Sequence, residues 1–410
     1  MQCGLLGKKL GHSYSPAIHN MLASYDYDLF ERQEDEVAAF LQEKSWSGLN
    51  VTIPYKRAVV PFMDCVSETV KKTGSINTVV RRENGELYGD NTDVFGFLSL
   101  VKHAGINAAG KKALILGSGG ASASVRAALE QLGAQTVIIS RSGEDNYENL
   151  EKHADARLVV NTTPVGMYPD TGKAPLDLRR LSQVEGVLDI IYNPARTAIL
   201  LQAEQLGIPH ANGLYMLVAQ AKRSAELFSG KQIADSEIDR ITRELAASMQ
   251  NIVLIGMPGC GKSTIAEALG RKTGREVVDS DVEIFRKTGL KPSQIILEQG
   301  ENAFRDVECE VLAELGKQSG KIISTGGGSV LREENYNSLH QNGCIVWIQR
   351  DLSCLSREDR PLSQNRDLQA LYAVREPRYR RFADFAVDNC RSIDAAADEI
   401  LTLFREKVVL

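Results

Sequence analysis

The stretch Asn251-Ile-Val-Leu-Ile-Gly-Met-Pro-Gly-Cys-Gly-Lys-Ser-Thr264 decides the fold of the C-terminal part of the chain. It predicts a buried strand, a loop with the spacing G-x-x-x-x-G-K-[ST], and a helix that begins after the loop. In that order the backbone N–H groups of the loop point at phosphates, its lysine supplies a cation, and its first hydroxyl faces Mg²⁺. We therefore predict that nucleotide phosphates bind Gly259, Cys260, Gly261, Lys262, Ser263 and Thr264.

Length and composition exclude several classes of protein. With 410 residues the chain is longer than one hydrophobic core usually supports, so we expect two or three domains. It has 43% hydrophobic and 25% charged residues, a net charge of -5, and no apolar run long enough to span a membrane. We therefore expect neither a membrane nor a nucleic-acid partner. The seven cysteines form no CxxC pair, which favours a reducing compartment, and we predict a cytoplasmic monomer or homodimer.

Short apolar runs of β type alternate with helical patterns in two successive sets. This alternation is typical of α/β domains whose parallel strands are buried on both faces. The runs cover residues 114–116, 137–139, 158–160 and 187–191 in the first set, and 252–255, 277–278, 322–323 and 345–348 in the second. Between the sets, Ser236 is predicted to cap a helix over residues 237–248, which leaves only residues 249–251 as a linker.

Three features downstream of the phosphate loop narrow the chemistry of the second set. Asp279 and Asp281 follow a strand, so both carboxylates are predicted to project from its carboxyl end toward the phosphates. Arg305 follows in the string GENAFRD at residues 300–306. The triple glycine at residues 326–328 ends another strand and leaves bare backbone that a substrate can approach closely.

The ordered strings GxxGxGKST, DSD, GExxFR, TGGG, RPL and RxPxY resemble shikimate kinase over nearly all of residues 251–410. The resemblance implies a P-loop, nucleoside-monophosphate-kinase-like α/β domain that phosphorylates shikimate with ATP and Mg²⁺. Ser263 and Asp279 would hold Mg²⁺, and Asp281 would bind the substrate hydroxyls and is the candidate acceptor of the attacking proton. Lys262 and Arg360 would stabilise the transferring phosphoryl group. The substrate would also contact Arg305, Gly326, Gly327, Gly328 and Arg375, with the two arginines clamping its carboxylate.

A second glycine-rich loop lies in the first set. Gly117, Ser118, Gly119, Gly120 and Ala121 follow a strand-like run and precede a helical stretch, which is the order of a dinucleotide-binding site. Roughly 20 residues beyond this loop, where such sites read the ribose, the next strand ends in Ser140, Arg141 and Ser142. An acidic residue there would bind a ribose hydroxyl, whereas an arginine and two hydroxyls suit a 2′-phosphate. We therefore predict NADP(H) rather than NAD(H).

Compact polar strings mark the N-terminal part of the chain. They are GHSYSP at 11–16, GLNVTIPYK at 48–56, SINT at 75–78, GDNTD at 89–93, NTTPVGM at 161–167, DIIYNP at 189–194 and NGLYMLVAQ at 212–220. These strings resemble shikimate dehydrogenase from about residue 2 to residue 247. The resemblance implies an α/β substrate domain of residues 1–90 plus 213–248, into which a Rossmann-type NADP-binding domain of residues 91–212 is inserted. The kinase domain would then occupy residues 251–410.

The same resemblance assigns roles within the strings. Seven residues would hold the carboxylate and hydroxyls of the substrate: Ser13, Ser15, Asn50, Thr52, Asn77, Tyr192 and Gln220. Lys56 and Asp93 would sit at the reacting carbon, where an ammonium paired with a carboxylate delivers a proton to the nascent alkoxide. Which of the two is the formal acid stays open. Gly213 would contact the cofactor. For His12 we favour a structural hydrogen-bonding role over a catalytic one, because Lys56 and Asp93 already fill the proton-transfer role.

The two resemblances together predict one bifunctional enzyme that uses NADP(H), ATP and Mg²⁺. It would reduce 3-dehydroshikimate to shikimate and then phosphorylate shikimate at its 3-hydroxyl. One alternative is a quinate-type dehydrogenase that uses NAD and is fused to a kinase, and Arg141 speaks against it. The other is a regulatory protein that senses shikimate without turnover. The presence of Lys56, Asp93, Lys262 and Asp281 speaks against that alternative.

Overall fold

Three β-sheets organise the chain in a computed structural model, which describes residues 2–11, 13–43, 45–355 and 368–408. Hydrophobic clusters pack against each of the three sheets. The predicted α/β class is confirmed, and so are both predicted sets of parallel strands.

The first sheet is built from the N-terminal residues. Its elements are β1 Gln2–Gly7, α1 Ser15–Leu22, β2 Asp26–Glu31, α2 Val37–Gln42, β3 Gly48–Val51, β4 Cys65–Val66, α3 Glu68–Thr73, β5 Thr78–Arg81 and β6 Leu87–Asp90. The strands lie in the order β2-β1-β3-β5-β6-β4, and β5 runs antiparallel to both of its neighbours. Phe40, Trp46 and Leu49 are buried in the cluster on this sheet, so its core is apolar although the strings above are polar.

The second sheet is parallel throughout. Its elements are α4 Asp93–His103, β7 Lys112–Leu116, α5 Gly120–Gln131, β8 Gln135–Ile139, β9 Leu158–Asn161, β10 Gly186–Asp189, α6 Ala198–Gln205 and β11 His210–Ala211. The strand order is β11-β10-β9-β7-β8, so the chain changes direction across the sheet after β8. In such sheets the ligand crevice lies at the carboxyl ends of the strands beside that change of direction.

Two helices then return to the first sheet: α7 Leu214–Ser229 and α8 Ser236–Met249. Helix α7 packs against α4 and α1. The prediction that Ser236 caps α8 is wrong, because α8 begins at Ser236 and Asp235 occupies the N-cap position. The Asp235 carboxylate accepts a hydrogen bond from Lys222 Nζ of α7 at 2.8 Å, so it lies outside the first turn, tied to the neighbouring helix.

The third sheet follows after the single residue Gln250. Its elements are β12 Asn251–Ile255, α9 Lys262–Thr273, β13 Val277–Asp279, α10 Ser280–Thr288, α11 Pro292–Gln299, α12 Glu301–Lys317, β14 Ile322–Ser324, α13 Glu334–His340, β15 Gly343–Gln349, α14 Leu368–Phe382, β16 Phe385–Asp388 and α15 Ile393–Lys407. The order β13-β14-β12-β15-β16 is parallel throughout. The central strand β12 is fully buried, so the loop that follows it is held by a rigid element.

Short 3₁₀ helices connect several of these elements: Glu34–Glu36, Val60–Phe62, Leu150–His153, Leu178–Arg180, Ser329–Leu331 and Leu352–Cys354. No helix within the described residues is long and apolar enough to cross a membrane. In those same ranges, no three histidine, cysteine, aspartate or glutamate side chains are grouped as a metal site.

Candidate active sites

The carboxyl ends of the third sheet surround a cavity of about 880 Å³. Its walls include nine residues that the sequence analysis singled out: Lys262, Ser263, Asp279, Asp281, Arg305, Gly326, Gly327, Gly328 and Arg375. The other predicted loop residues, Gly259, Cys260, Gly261 and Thr264, do not line this described cavity. The fold therefore brings these nine predicted residues of this half to one place.

The shape of the phosphate loop depends on its glycines. Gly256, Gly259 and Gly261 have φ values of 146°, 86° and 99°, a region in which other residues are strained. A Cβ at Gly261 would lie 2.4 Å from Asn389 Nδ2. That amide donates a hydrogen bond to the carbonyl oxygen of Cys260 at 2.7 Å, so a side chain at Gly261 would break a contact that holds the loop.

Lys262 and Ser263 open α9 directly after the loop. Lys262 Nζ donates hydrogen bonds to the carbonyl oxygens of Gly256 at 2.9 Å and Met257 at 3.1 Å, which keeps the ammonium beside the loop backbone. Ser263 Oγ donates to Asp279 Oδ2 at 3.2 Å. A hydroxyl and a carboxylate next to a phosphate loop fit Mg²⁺, which prefers oxygen ligands completed by phosphates and water.

Asp281 lies where several carboxylates meet. Burial, together with the neighbouring carboxylates of Asp279 and Glu308, raises the pKa of Asp281 to about 6. A proton acceptor is most effective when its pKa lies near the working pH. The environment of Asp281 therefore suits the abstraction of a proton from a hydroxyl group near neutral pH.

Glu308 is a site residue that the sequence analysis missed. Its side chain is fully buried, and Oε2 accepts a hydrogen bond from Arg305 Nη1 at 2.6 Å. Its other oxygen, Oε1, has no hydrogen-bond partner among the described residues. Burial raises the pKa of Glu308. The i, i+3 spacing from Arg305 on a helix was the available signal for this pair.

The triple glycine is required by close packing against these charged groups. A Cβ at Gly326 would lie 2.8 Å from Glu308 Oε1 and 3.3 Å from Asp281 Oδ1. A Cβ at Gly328 would lie 2.2 Å from Arg305 Nη2. Any side chain here would displace the charged groups and fill the part of the cavity that they border.

Two buried arginines, Arg305 and Arg375, also line the cavity. Arg305 and Arg375 are 5% and 3% exposed, and the Nε atom of each has no hydrogen-bond partner within the described ranges. One turn beyond Arg375 on α14, the Tyr379 hydroxyl donates to the carbonyl oxygen of Gly327. Planar guanidinium groups match a carboxylate well. Arg360, the third predicted arginine, falls in residues 356–367, outside the described residues.

In the N-terminal half, Lys56 and Asp93 meet as predicted. Lys56 Nζ donates to Asp93 Oδ2 at 2.6 Å, and Asn77 Nδ2 donates to Asp93 Oδ1 at 2.9 Å. The lysine side chain is 21% exposed and the aspartate side chain 9%. The carboxylate is thus fixed from both sides, while the ammonium is partly open to solvent.

A network of amides and hydroxyls extends from this pair to α7. Asn77 Nδ2 lies 3.3 Å from Gln220 Oε1, and Asn50 Nδ2 donates to Ser224 Oγ at 2.9 Å. The sequence analysis missed several buried members of this network: Tyr27, Thr78, Thr92 and Ser224. Ser224 lies one helical turn after Gln220, so the i, i+4 spacing could have indicated it.

The remaining predicted substrate contacts are partly exposed. Ser13 Oγ accepts a hydrogen bond from the backbone N–H of Ser15 at 3.2 Å. The ring of Tyr14, between them, meets the ring of Tyr192 edge to face with centroids 5.9 Å apart. No hydrogen bond within the described residues joins Ser13, Ser15 or Thr52 to the Lys56–Asp93 pair. His12 lies outside the described residues.

The second glycine-rich loop lies at the carboxyl end of β7. Gly117 has a φ of 105°, and Ser118 and Gly119 line a cavity of about 660 Å³. Arg57 and Lys72 of the first sheet line the same cavity. The cavity extends along α5 to Glu130, and the cations on its wall together with the start of α5 favour phosphate groups.

The other predicted cofactor residues differ in exposure. They are Gly120 and Ala121 in the first turn of α5, Ser140, Arg141 and Ser142 after β8, and Gly213 before α7. Arg141 and Ser142 are exposed, and Ser140 is partly buried. Gly213 is buried, and a Cβ there would lie 2.0 Å from the carbonyl oxygen of Ile190. Close backbone packing therefore accounts for a glycine at this position.

These sites define the class of the protein. A glycine-rich loop at the direction change of a parallel sheet, in a chain that also holds a lysine–carboxylate pair, is typical of a dinucleotide-dependent oxidoreductase. A P-loop that borders buried arginines and carboxylates is typical of a small-molecule kinase. The chain therefore joins an oxidoreductase fold to a kinase fold.

Comparison with known proteins gives the family. A model described as the shikimate dehydrogenase substrate binding domain matches residues 5–79, and a model described as shikimate kinase matches residues 258–405. A shikimate dehydrogenase (NADP(+)) of Clostridium perfringens is 34% identical over 264 residues, which cover 59% of this chain and 97% of that protein. The chain belongs to the shikimate dehydrogenase family and carries a shikimate kinase domain at its C-terminus.

Solved structures agree with this assignment. Shikimate dehydrogenase 1 from Peptoclostridium difficile is 35% identical and superposes with a TM-score of 0.55. The superposition covers 60% of this chain and 97% of that chain. The shikimate 5-dehydrogenase from Thermus thermophilus, solved with NADP(H) and shikimate, is 30% identical and superposes with a TM-score of 0.55. This superposition covers 60% of the present chain and 99% of the Thermus chain. Both resemblances predicted from the sequence strings are confirmed.

Proposed function

We propose that the chain catalyses two successive reactions, the NADPH-dependent reduction of 3-dehydroshikimate to shikimate and the phosphorylation of shikimate by Mg²⁺-ATP at its 3-hydroxyl. The observation that carries this proposal is that one chain holds both sets of reactive groups. Lys56 is paired with Asp93 in one fold, and Lys262, Asp281 and Arg305 line one cavity in the other. The product of the first reaction is the substrate of the second.

In the reduction, the bound nicotinamide cofactor supplies a hydride. Lys56 and Asp93 hold the proton that the nascent alkoxide takes up, and the hydrogen bond from Asn77 keeps the carboxylate oriented toward the ammonium. Six further side chains orient the carboxylate and hydroxyls of the substrate: Ser13, Ser15, Asn50, Thr52, Tyr192 and Gln220. Asn50 and Gln220 are already hydrogen bonded within the network to α7, which supports a fixed orientation for them.

The charge distribution favours NADP(H) as the cofactor. Arg57 and Lys72 share a cavity with Ser118 and Gly119 of the glycine-rich loop, and with the start of α5 they would attract the pyrophosphate. Arg141 follows β8, and a residue at the end of that strand is the usual one to contact the ribose, so Arg141 would bind the adenosine 2′-phosphate. The name of the Clostridium relative, an NADP(+) enzyme, supports this choice. In a quinate-type enzyme that uses NAD, Arg141 would have no 2′-phosphate to bind.

In the phosphorylation, Asp281 accepts the proton of the attacking hydroxyl. Ser263 and Asp279 would hold Mg²⁺, and Lys262 would neutralise the outer phosphates of ATP. Arg305 and Arg375 clamp the substrate carboxylate. Phosphoryl transfer depends mainly on positioning and charge neutralisation, which is the chemistry that such a set of side chains supplies.

We also propose three domains that match this division of labour. Residues 1–90 plus 213–248 bind the substrate of the reduction, residues 91–212 bind the dinucleotide, and residues 251–410 form the kinase. The packing of α7 against α1 and β5, which both belong to residues 1–90, supports a discontinuous first domain.

A coupled assay on the full chain tests the proposal. With 3-dehydroshikimate and NADPH we expect NADPH oxidation without ATP, and ADP release once Mg²⁺-ATP is added. NADH should replace NADPH poorly. A chain that binds shikimate but oxidises no NADPH and releases no ADP would instead be the regulatory sensor.

A further inference from the structure

A short segment of the kinase half, residues 340–343, contacts the loop that follows β10 in the dehydrogenase half. The backbone N–H of Arg196 donates to the carbonyl oxygen of Gln341 at 2.7 Å. The backbone N–H of Ala195 donates to Asn342 Oδ1 at 3.2 Å. Residues 340–343 connect α13 to β15. The kinase contact is therefore made by backbone as well as side chains, which fixes the path of residues 195 and 196.

The side chain of Arg196 is inserted into the kinase half. It is 6% exposed, and Nη1 donates to the carbonyl oxygens of His340 at 2.7 Å and Gly343 at 3.3 Å. Glu204 lies 3.7 Å from Arg196 Nε and 3.1 Å from His340 Nε2. A buried guanidinium with carbonyl acceptors and a carboxylate is costly to uncouple, because removing its partners leaves a desolvated charge.

Arg196 belongs to the same loop as Tyr192. The loop leaves β10 at the buried Asp189, whose carboxylate accepts hydrogen bonds from Thr197 Oγ1 at 2.6 Å and from the backbone N–H of Ile191 at 3.0 Å. The two ends of the loop are thus joined at Asp189 and Thr197. Tyr192 lies between them and meets Tyr14 of the substrate-binding strings.

We infer that Arg196 is a positioning residue for the reduction: the kinase half, through residues 340–343, holds the loop that presents Tyr192 to the substrate of the dehydrogenase. The inference rests on the proposed function, and it adds that one active site is completed by contacts from the other fold. Residues 340–343 precede β15, whereas the kinase cavity lies at the carboxyl ends of the strands. A change at this contact should therefore affect the reduction and not the phosphorylation.

The test compares two variants of the full chain. Arg196→Met keeps the bulk of the side chain and removes its donors. We expect KM for 3-dehydroshikimate to rise about tenfold, the effect of losing charged hydrogen bonds that order a loop, with kcat within about twofold. The dissociation constant of NADPH, measured by fluorescence, and the kinase KM for shikimate should stay unchanged.

Gln205→Ala is the matched control at the same junction. It removes the exposed contact from Gln205 Nε2 to Asn337 Oδ1 at 3.2 Å, outside the loop that carries Tyr192. We expect it to leave KM for 3-dehydroshikimate unchanged. An equal rise in KM for 3-dehydroshikimate in Arg196→Met and Gln205→Ala would overturn the inference. It would show that any disturbance of the contact between the two halves raises KM.

A double-mutant cycle links the effect to Tyr192. If Arg196 acts through this tyrosine, the rise in KM caused by Arg196→Met should largely disappear in a Tyr192→Phe background. Full additivity would overturn the inference. Should Arg196→Met fold poorly, Asn342→Ala removes the acceptor for Ala195 from the kinase side, and it should raise the same KM by a smaller factor.

These outcomes separate two failures. A wild-type chain that does not oxidise NADPH would reject the proposed function. An active wild-type chain whose KM is unmoved by both Arg196→Met and Asn342→Ala would reject only the role of Arg196.

Discussion

The two active sites differ in how their charges are balanced. In the dehydrogenase half, Lys56 and Asp93 pair directly at 2.6 Å, and neutral amides and hydroxyls extend from the pair. The kinase cavity instead collects charges of both signs, among them Lys262, Asp279, Asp281, Arg305, Glu308 and Arg375. Of these six, only Arg305 and Glu308 form a direct ion pair within the described residues.

The difference follows from the two reactions. Reduction of a neutral ketone needs one proton beside the reacting carbon, so a single matched pair suffices. Phosphoryl transfer brings several negative charges into the site with the nucleotide, and the protein must hold cations that those charges can neutralise. A change to the charged residues of one site is therefore expected to reduce the activity of that site and to leave the other activity unchanged.

The largest expected effect tests the matched pair. Lys56→Ala should reduce NADPH oxidation about 10²- to 10⁴-fold, the usual contribution of a positioned acid or base. Phosphorylation of added shikimate should stay near wild type, because the kinase cavity lies in another fold. Steady-state rates of both reactions measure this, with Lys71→Ala on the exposed face of α3 as the control. Loss of both activities in a folded protein would contradict independent sites.

The reciprocal change tests the kinase cavity. Lys262→Ala should reduce ADP release at least about 10²-fold, because it removes a cation from the developing phosphate charge. NADPH oxidation should be unaffected. Lys272→Ala, an exposed lysine of the same helix that pairs with Asp398, is the control and should retain both activities. Substantial ADP release by Lys262→Ala would argue against the phosphate loop as the nucleotide site.

A smaller effect is expected at the exposed end of β8. Arg141→Asp removes a charged hydrogen bond to the 2′-phosphate and adds a like charge. The ratio of kcat/KM for NADPH over NADH should fall about ten- to hundredfold, from the roughly 1.5 to 3 kcal/mol that such bonds contribute. Arg179→Asp, at an exposed site beside Asp177, is a control of equal charge change. An unchanged ratio would remove the support that Arg141 gives to NADP(H).

The smallest expected effect concerns the pH dependence of the kinase reaction, which depends on the carboxylates around Asp281. Because the pKa of Asp281 is raised to about 6 and the residue must be ionised to accept a proton, kcat/KM of the kinase should fall about tenfold per pH unit below that value. Glu308→Gln removes a like charge near Asp281, so the acid limb should move to lower pH. If the acidic side of the pH profile of kinase kcat/KM is unchanged in Glu308→Gln, ionisation of Asp281 does not determine that part of the profile. Dehydrogenase activity at each pH is the internal control.

The sequence predicted the local parts of this protein well. The strand, loop and helix around Lys262 and those around Gly117 were predicted, because glycine conformations and apolar runs act over a few residues. Lys56 and Asp93 were paired correctly although 37 residues separate them. That pairing came from family strings rather than from spacing. The cap at Ser236 was wrong because Lys222, on another helix, holds Asp235.

What the sequence by itself determined is the set of reactive residues and the order of α/β elements that carry them. Only the tertiary structure decided which polar groups support those residues. Ser224 reaches Asn50 from 174 positions away, and Arg196 is buried by carbonyl groups of residues 340 and 343. The physical reason is that a buried polar group needs a partner, and the packing of distant elements decides which groups are buried together.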